Sequence, residues 1–294
     1  MRSRLAEFAG EPAPPENHRA DREAGAVVYP VISRRSEGLS IGINLFPDKK
    51  LCSFDCPYCE VFPFDTPYSF SIAAMERGLR SEVARAAERG MAVKDFSFSG
   101  NGEPTLAPDF PAALRSAFLL RDEIAPSASI VVITNASTLG DAGTAELLRS
   151  AATGRFGSPG PALDIWLKLD AGTEEWYRKI DRGMISYAAL RASIIAFSAT
   201  CPVTIQTMLC AVDGAEPPAE EERAWIETLV TLARTGDGVS SGVRRVHLYG
   251  KARPAPEDPK AVQLPLECLE TRAAAARSAL VNANVHSVPI DVFV

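Results

Sequence analysis

Two periods of apolar and polar positions take turns along most of the chain. In "KDFSFSG" (94–100) apolar and polar residues alternate, the mark of a strand with one buried face. In "SIAAMERGLRSEVARAAERG" (71–90) the apolar positions Ile72, Met75, Leu79, Val83 and Ala86 recur at helical spacing, and Gly90 supplies a C-terminal stop. The same reading predicts strands over 39–46, 129–134, 163–170, 202–212 and 243–250, with a last one inside "NVHSVPIDVFV" (284–294). Helices are predicted around 109–120, 140–151, through "TEEWYRKI" and "SYAALRASIIAFSA", and over 217–236 and 265–280. The helix at 217–236 opens on prolines and acids and closes on glycine, which suits its macrodipole. Strands that alternate with helices imply parallel pairing with helical crossovers. The predicted fold class is therefore α/β, a partial (β/α)6 barrel of TIM type with N- and C-terminal extensions; a doubly wound open sheet is the alternative. Both architectures put their chemistry at the carboxyl ends of the strands.

There is no internal repeat and no linker that divides the chain. Residues 1–27, rich in Pro, Ala, Glu and Arg without a clear period, read as a tail or extension, and 28–294 as one barrel domain with a C-terminal extension. A length of 294 residues is near the upper size for one domain, and 46% hydrophobic residues suffice for a substantial core. No apolar run approaches the roughly 18 residues of a membrane span, and the start lacks the apolar segment of a signal peptide. The expectation is a cytoplasmic protein, where thiols stay reduced and clustered cysteines bind metal more often than they form disulfides. A formal charge of −6 argues against a broad nucleic-acid footprint, leaving local basic stretches at "SRRSEG" (33–38) and "GVRRVHLYGKARP" (242–254).

Three of the six cysteines, Cys52, Cys56 and Cys59, fall within "LCSFDCPYCEVF", directly after the first predicted strand. Asp55 and Pro57 favour turning, so three sulfurs on so short a segment can converge. Thiolates are soft ligands for zinc or for an iron–sulfur cluster. A structural zinc site wants four ligands, commonly as two pairs, and there is no second pair. A [4Fe–4S] cluster normally takes four thiolates, so three would leave one iron open to a ligand that is not protein.

The Cys-x3-Cys-x2-Cys spacing of "CSFDCPYC" resembles the signature of the radical S-adenosylmethionine (SAM) superfamily. The resemblance implies a [4Fe–4S] cluster on Cys52, Cys56 and Cys59, with SAM chelated to the open iron. One electron would then cleave SAM to a 5′-deoxyadenosyl radical that abstracts hydrogen from a substrate. It places Tyr58 near the adenine through its backbone. "FSFSGNGEPTL" (96–106) resembles the superfamily's glycine–glycine–glutamate–proline motif, which assigns Gly100, Gly102 and Glu103 to the SAM amino group; Asn101 departs mildly from that pattern. Asn135, Lys168 and Gln206, at or near later strand ends with Thr134, Asp170, Thr207, His247 and Tyr249, are the candidates for ribose or carboxylate contacts.

"YPVISRRSEGLSIGINLFPDKKLCSFDCPYC", "KLDAGTEEWYRKIDR" and "VHLYGKARPAPED" narrow the resemblance to single-domain proteins related to the wyosine synthases, which build a tricyclic base on a transfer RNA (tRNA) guanosine. Those synthases carry a second cluster on upstream cysteines, whereas residues 1–51 contain none. The substrate is thus left unidentified. A tRNA base is one reading and predicts salt-sensitive RNA binding; a small molecule or peptide suits the acidic balance better. An external one-electron reductant, a flavodoxin or ferredoxin, is implied. The rival of another class is a non-catalytic iron–sulfur or zinc protein. Cys201, Cys210 and Cys268 read as structural thiols, Trp166, Trp176 and Trp225 as core, His18 as a tail residue and His286 as a packing residue.

Overall fold

The computed structural model describes residues 26–285 and 288–294, so most of the predicted tail, with His18, and His286 lie outside the described residues. Strand β1 (Val28–Ser33) and β2 (Gly38–Ile43) form a hairpin. Helix α1 (Ile72–Glu88) leads to β3 (Val93–Phe98), α2 (Phe110–Ile124) to β4 (Ser129–Thr134), and α3 (Ala142–Ala152) to β5 (Leu163–Lys168). Two helices, α4 (Glu174–Ile180) and α5 (Tyr187–Ser198), precede β6 (Pro202–Val212), and α6 (Ala219–Ala233) precedes β7 (Gly242–Gly250). A short β8 (Ala261–Gln263), α7 (Leu266–Asn282) and β9 (Ile290–Phe293) complete the order.

The strands run β1-β2-β3-β4-β5-β6-β7-β9 across one sheet, parallel from β2 onward. The six parallel strands β2 to β7 with their crossovers are the expected partial barrel. The C-terminal segment extends it by α7 and a seventh parallel strand, β9, paired with β7. Two strands escape the periodicity. β1 carries Pro30, which an interior strand would not tolerate, and it lies antiparallel to β2 at the sheet edge, where proline is permitted. β8 has three residues, too few to show a period, and pairs antiparallel with the end of β6. Helix starts are fixed by side-chain caps: Ser71, Asp141, Thr173 and Ser186 each accept from a backbone N–H of the first turn.

Alternation sorts the strand residues onto two unlike faces. One face is apolar and fully buried: Ile41 and Ile43 of β2, Phe96 and Phe98 of β3, Ile130 and Val132 of β4, Ile165 and Leu167 of β5. The intervening positions on the other face are largely polar in β2, β3 and β6, with Val131 and Ile133 of β4 apolar. There Ser40 donates to Asp95 (2.5 Å), Thr204 to Asp164 (3.2 Å), and the Gln206 amide meets His247 Nδ1 (2.6 Å). A barrel interior lined this way must satisfy its own polar groups, since each left unpaired costs roughly 1–3 kcal/mol.

Arg35, in the β1–β2 turn, joins this layer by donating to the Gln206 side-chain oxygen. That bond fixes the amide: its NH2 must face His247 Nδ1, so the neutral imidazole carries its proton on Nε2. Burial, with the charges of Arg35 and Arg245, holds the His247 pKa down to about 3. A histidine at 6.5 in the unfolded chain and about 3 in the folded one leaves stability intact above pH 6.5 and drains it as pH falls toward 3. Between pH 7 and pH 5 this group should remove about 2 kcal/mol of unfolding free energy. His247→Gln is expected to flatten the urea-measured pH dependence by that amount; an unchanged slope would count against a neutral buried imidazole.

Candidate functional site

The loop after β2 carries the three cysteines and is clamped on both sides by main chain. Leu51 N–H donates to Asn101 O (3.1 Å) and Glu103 N–H donates to Leu51 O (2.8 Å), a parallel bridge between Leu51 and Gly102. On the far side Asp55 N–H donates to Asp181 O and Met184 N–H to Ser53 O, both at 3.0 Å, while Phe54 packs edge-on against Tyr177. All three thiols are free and partly accessible. Cys52 Sγ accepts from Phe54 N–H (3.4 Å) and Asn135 Nδ2 (3.5 Å). Cys56 Sγ lies 3.8 Å from the Asp181 backbone oxygen and from its Oδ1, and Cys59 N–H donates to Cys56 O (3.0 Å). Burial, then the Asp181 charge, pushes the Cys56 thiol well up, with Lys168 opposing. Lys50 faces the same group: burial lowers its pKa, but Cys59, Asp55 and Cys52 outweigh that and raise it.

Gly102 explains why the turn after β3 is glycine-rich. A Cβ there would lie 1.9 Å from the Leu51 carbonyl oxygen and 2.7 Å from its carbon, and main chain cannot yield as a side chain can. Gly100, at φ +130°, adopts a backbone that L-residues avoid and abuts the Asn44 side chain. Asn44, at the end of β2, accepts from Phe46 N–H and Asn101 N–H and donates to Ala26 O, tying the two loops together.

Glu103 is buried, and its carboxylate gathers the turn. Oε1 accepts from Thr105 N–H (3.2 Å), Thr105 Oγ1 (2.6 Å) and Thr134 Oγ1 (2.7 Å); Oε2 accepts from Asn135 N–H (2.7 Å). Burial raises its pKa, against these bonds, which favour the charged form. Two lone pairs serve each oxygen, so Oε2 retains room for one more donor. Asn135 connects this carboxylate to the cysteine loop, because its side-chain NH2 reaches both Cys52 Sγ and Ser53 Oγ (3.0 Å).

A charged network closes the other side of the barrel mouth. Lys168 Nζ stands 2.7 Å from Asp170 and donates to Tyr249 Oη (3.0 Å), with the Tyr58 ring 4.8 Å away. Tyr58 Oη donates to Asp170, so the ring is oriented by the same carboxylate. Burial works to lower the Lys168 pKa, but Asp170, Tyr249, Cys56 and Asp181 override it and hold the lysine charged. Asp181 is itself buried, and its pKa is pushed well up by burial and by the Asp170 charge.

The sequence-selected residues divide accordingly. Cys52, Asn135, Glu103 and Gly102 meet in one network, as do Tyr58, Lys168 and Asp170, while Cys56 lies against Asp181. Gln206 is fully buried between Arg35 and His247, one strand beyond Lys168, with which it pairs. Asp181 and Asn44 went unselected, and Arg35 was marked only as part of the basic stretch at 33–38. Asp181 has only the "KIDR" segment as a signal, and it comes to Cys56 across 125 positions. Among the described residues no three His, Cys, Asp or Glu side chains stand together as a ready metal site. The donor chemistry nevertheless suits iron: three cysteines on one loop, each partly exposed, with the Phe54 N–H and Asn135 side chain on Cys52 and Lys50 drawn toward Cys59 and Cys52. No helix among the described residues is long and apolar enough to cross a membrane.

No family model matches the chain. Among curated proteins, a UPF0026 protein of Helicobacter pylori strain J99 is 24% identical over 165 residues, 56% of this chain and 52% of that protein. The chain thus spans about half the length of the curated relative it matches. Among solved structures, Streptococcus suis SuiB bound to S-adenosylmethionine superposes with a TM-score of 0.60 at 14% identity, covering 83% of this chain and 48% of that one. A radical SAM methyltransferase from Sphaerobacter thermophilus gives 0.57 at 15% identity, covering 86% and 66%. The fold is the one expected from the radical SAM resemblance.

The bridge at Gly102 carries a direct test. Gly102→Ala should cost roughly 1–3 kcal/mol through forced displacement of Leu51, and should speed labelling of the cysteine loop by a thiol reagent. Wild-type melting together with wild-type labelling would remove the clamp from the account.

Proposed function

We propose that the chain is a radical SAM enzyme, with Cys52, Cys56 and Cys59 as the ligands of a [4Fe–4S] cluster. The observation that carries this reading is that three segments far apart in sequence join in one hydrogen-bonded unit at the strand ends: Cys52 to Asn135, and Asn135 to Glu103. A structural zinc loop would have no use for the buried Glu103 with one acceptor position to spare. When bound, the cluster and SAM supply reductive carbon–sulfur cleavage and hydrogen abstraction from a substrate, with electrons from an external reductant.

The chain's own residues have derivable tasks. Cys56, whose thiol is held protonated by burial and the Asp181 charge, would have to give up its proton to serve as a ligand, so loading should release protons. Glu103, whose four donors favour the charged form against its burial, offers the free position on Oε2 to an ammonium group, the SAM amino group in this reading. Gly100 and Gly102 let main chain approach closely beside it. Lys168 stays cationic against Asp170 and stands ready for a carboxylate or ribose oxygen, with Tyr58 packed below it. In this reading the backbone around Tyr58 would meet the adenine and Asn135, bonded to Cys52, a ribose or carboxylate oxygen, while Gln206 holds Arg35. The substrate is left open between a small molecule or peptide and a tRNA base.

Reconstituted anaerobically with iron and sulfide, reduced and given SAM, the full chain should release 5′-deoxyadenosine, and Cys56→Ala should release none. A protein that holds a full cluster and leaves SAM intact, or that takes up zinc in place of iron, would sink this reading in favour of a non-catalytic metal-binding protein.

A further inference from the structure

Two cations reach the polar interior from opposite sides, and they are matched differently. Lys168 has Asp170 at 2.7 Å. Arg35 has neutral partners: the Gln206 oxygen, the Trp166 ring with its centroid 5.4 Å away, and the Tyr249 ring at 5.0 Å. Among the described residues Arg35 makes no ion pair; Asp95, the carboxylate it acts on electrostatically, is engaged by Ser40. Tyr249 links the two cations, since its hydroxyl accepts from Lys168 while its face receives Arg35.

Two further arginines gather at the same place. Arg253, four residues after Tyr249 in sequence, pairs with Glu60 at 3.0 Å. Arg34 is exposed and makes no ion pair among the described residues; burial and then the charges of Arg253 and Arg35 lower its pKa, with Glu60 opposing. Arg34 thus stands within electrostatic reach of both Arg35 and Arg253, with the ion-paired Glu60 opposing them, in a chain whose net charge is −6. Gathering like charges costs free energy unless a counter-charge arrives, and a guanidinium whose neighbours are aromatic rings and a neutral amide can still donate its remaining N–H groups to an oxyanion.

We propose that Arg35, flanked by Arg34 and Arg253, receives an oxyanion of the substrate, a carboxylate or a phosphate, and so orients that substrate toward the Lys168–Tyr249 end of the barrel. The assignment rests on the radical SAM reading for the word substrate; the anion site itself stands on the arginines. The neutral Gln206–His247 pair acts as positioning support, holding the guanidinium in place without neutralising it.

The test uses the full chain, reconstituted anaerobically but given no reductant, so that nothing turns over. Inorganic phosphate or acetate is titrated against potassium chloride at constant ionic strength, following tryptophan emission and the melting temperature. Saturable binding of one or both anions above the chloride control is expected, and which of the two binds tells phosphate from carboxylate. Arg35→Gln should weaken it roughly tenfold or more, as expected for loss of a charge-assisted bond. Arg34→Gln and Arg253→Gln, on more accessible side chains, should each weaken it a few-fold while melting like wild type, so a folding defect in the Arg35 variant does not decide the matter. Binding should persist with saturating SAM. Displacement by SAM would assign the arginines to the SAM carboxylate and overturn the proposal, as would absence of saturable binding or indifference to all three substitutions. Anion binding without 5′-deoxyadenosine release in the separate reductive assay would remove the radical reading and leave the anion site; the converse would remove the anion site alone.

Discussion

Main chain touches main chain where the cysteine loop crosses the turn after β3, and the rest of the site depends on that contact. The carbonyl of Leu51 occupies the volume that a side chain at Gly102 would need, so the two loops lock by backbone hydrogen bonds on each side of one residue. From this clamp the Cys52 side chain is delivered to Asn135, and Glu103 is delivered to the end of β4. The second anchor, at Asp181 and Met184, stops the loop from pivoting about the first. Glycine at 102 is thus a condition for bringing two sequence-distant loops within bonding distance, ahead of any role toward a ligand.

The barrel divides its labour by face. Isoleucine, leucine and phenylalanine on the helix-facing side supply the burial that holds the domain together, at about 25 cal/mol per Å² of apolar surface. That leaves the inner face free to be polar, provided each buried group finds a partner. Most do: Asp95 with Ser40, Asp164 with Thr204 and Trp166, Lys168 with Asp170. His247 Nε2, the end of the Arg35–Gln206–His247 chain, does not. In such a low-dielectric interior each fixed charge acts over a longer range than it would in water. The Asp170 charge accordingly reaches both Asp181 and Lys168, and Cys56 feels those two in turn.

What could be read from the sequence followed from how local each signal is. The spans of β4 and β6 match their expected limits because apolar runs bounded by polar turns announce themselves. The C-terminal β9 lies within its expected segment but is shorter. β1 was hidden by Pro30, which reads as a breaker until the strand is known to lie at an edge. The cysteine loop was legible through its spacing, and the Gly–Glu turn through its resemblance to a superfamily motif. The glycines were read as making way for a ligand, whereas Gly102 first makes way for Leu51. Asp181 was not legible, and Arg35 only as one charge in the basic stretch at 33–38: each acquires its meaning from residues more than a hundred positions away.

The anchoring of the cysteine loop by peptide groups has an evolutionary corollary. Amide and carbonyl groups are common to nearly every residue, so the loop's attachment at Leu51, Asp55 and Glu103 is indifferent to most side-chain replacement around it. The inner face, by contrast, is written wholly in side chains. Lineages can therefore exchange what the barrel recognises, one strand position at a time, without disturbing how the loop is hung. A scaffold built in this manner separates inheritance of its reactive centre from drift in its selectivity.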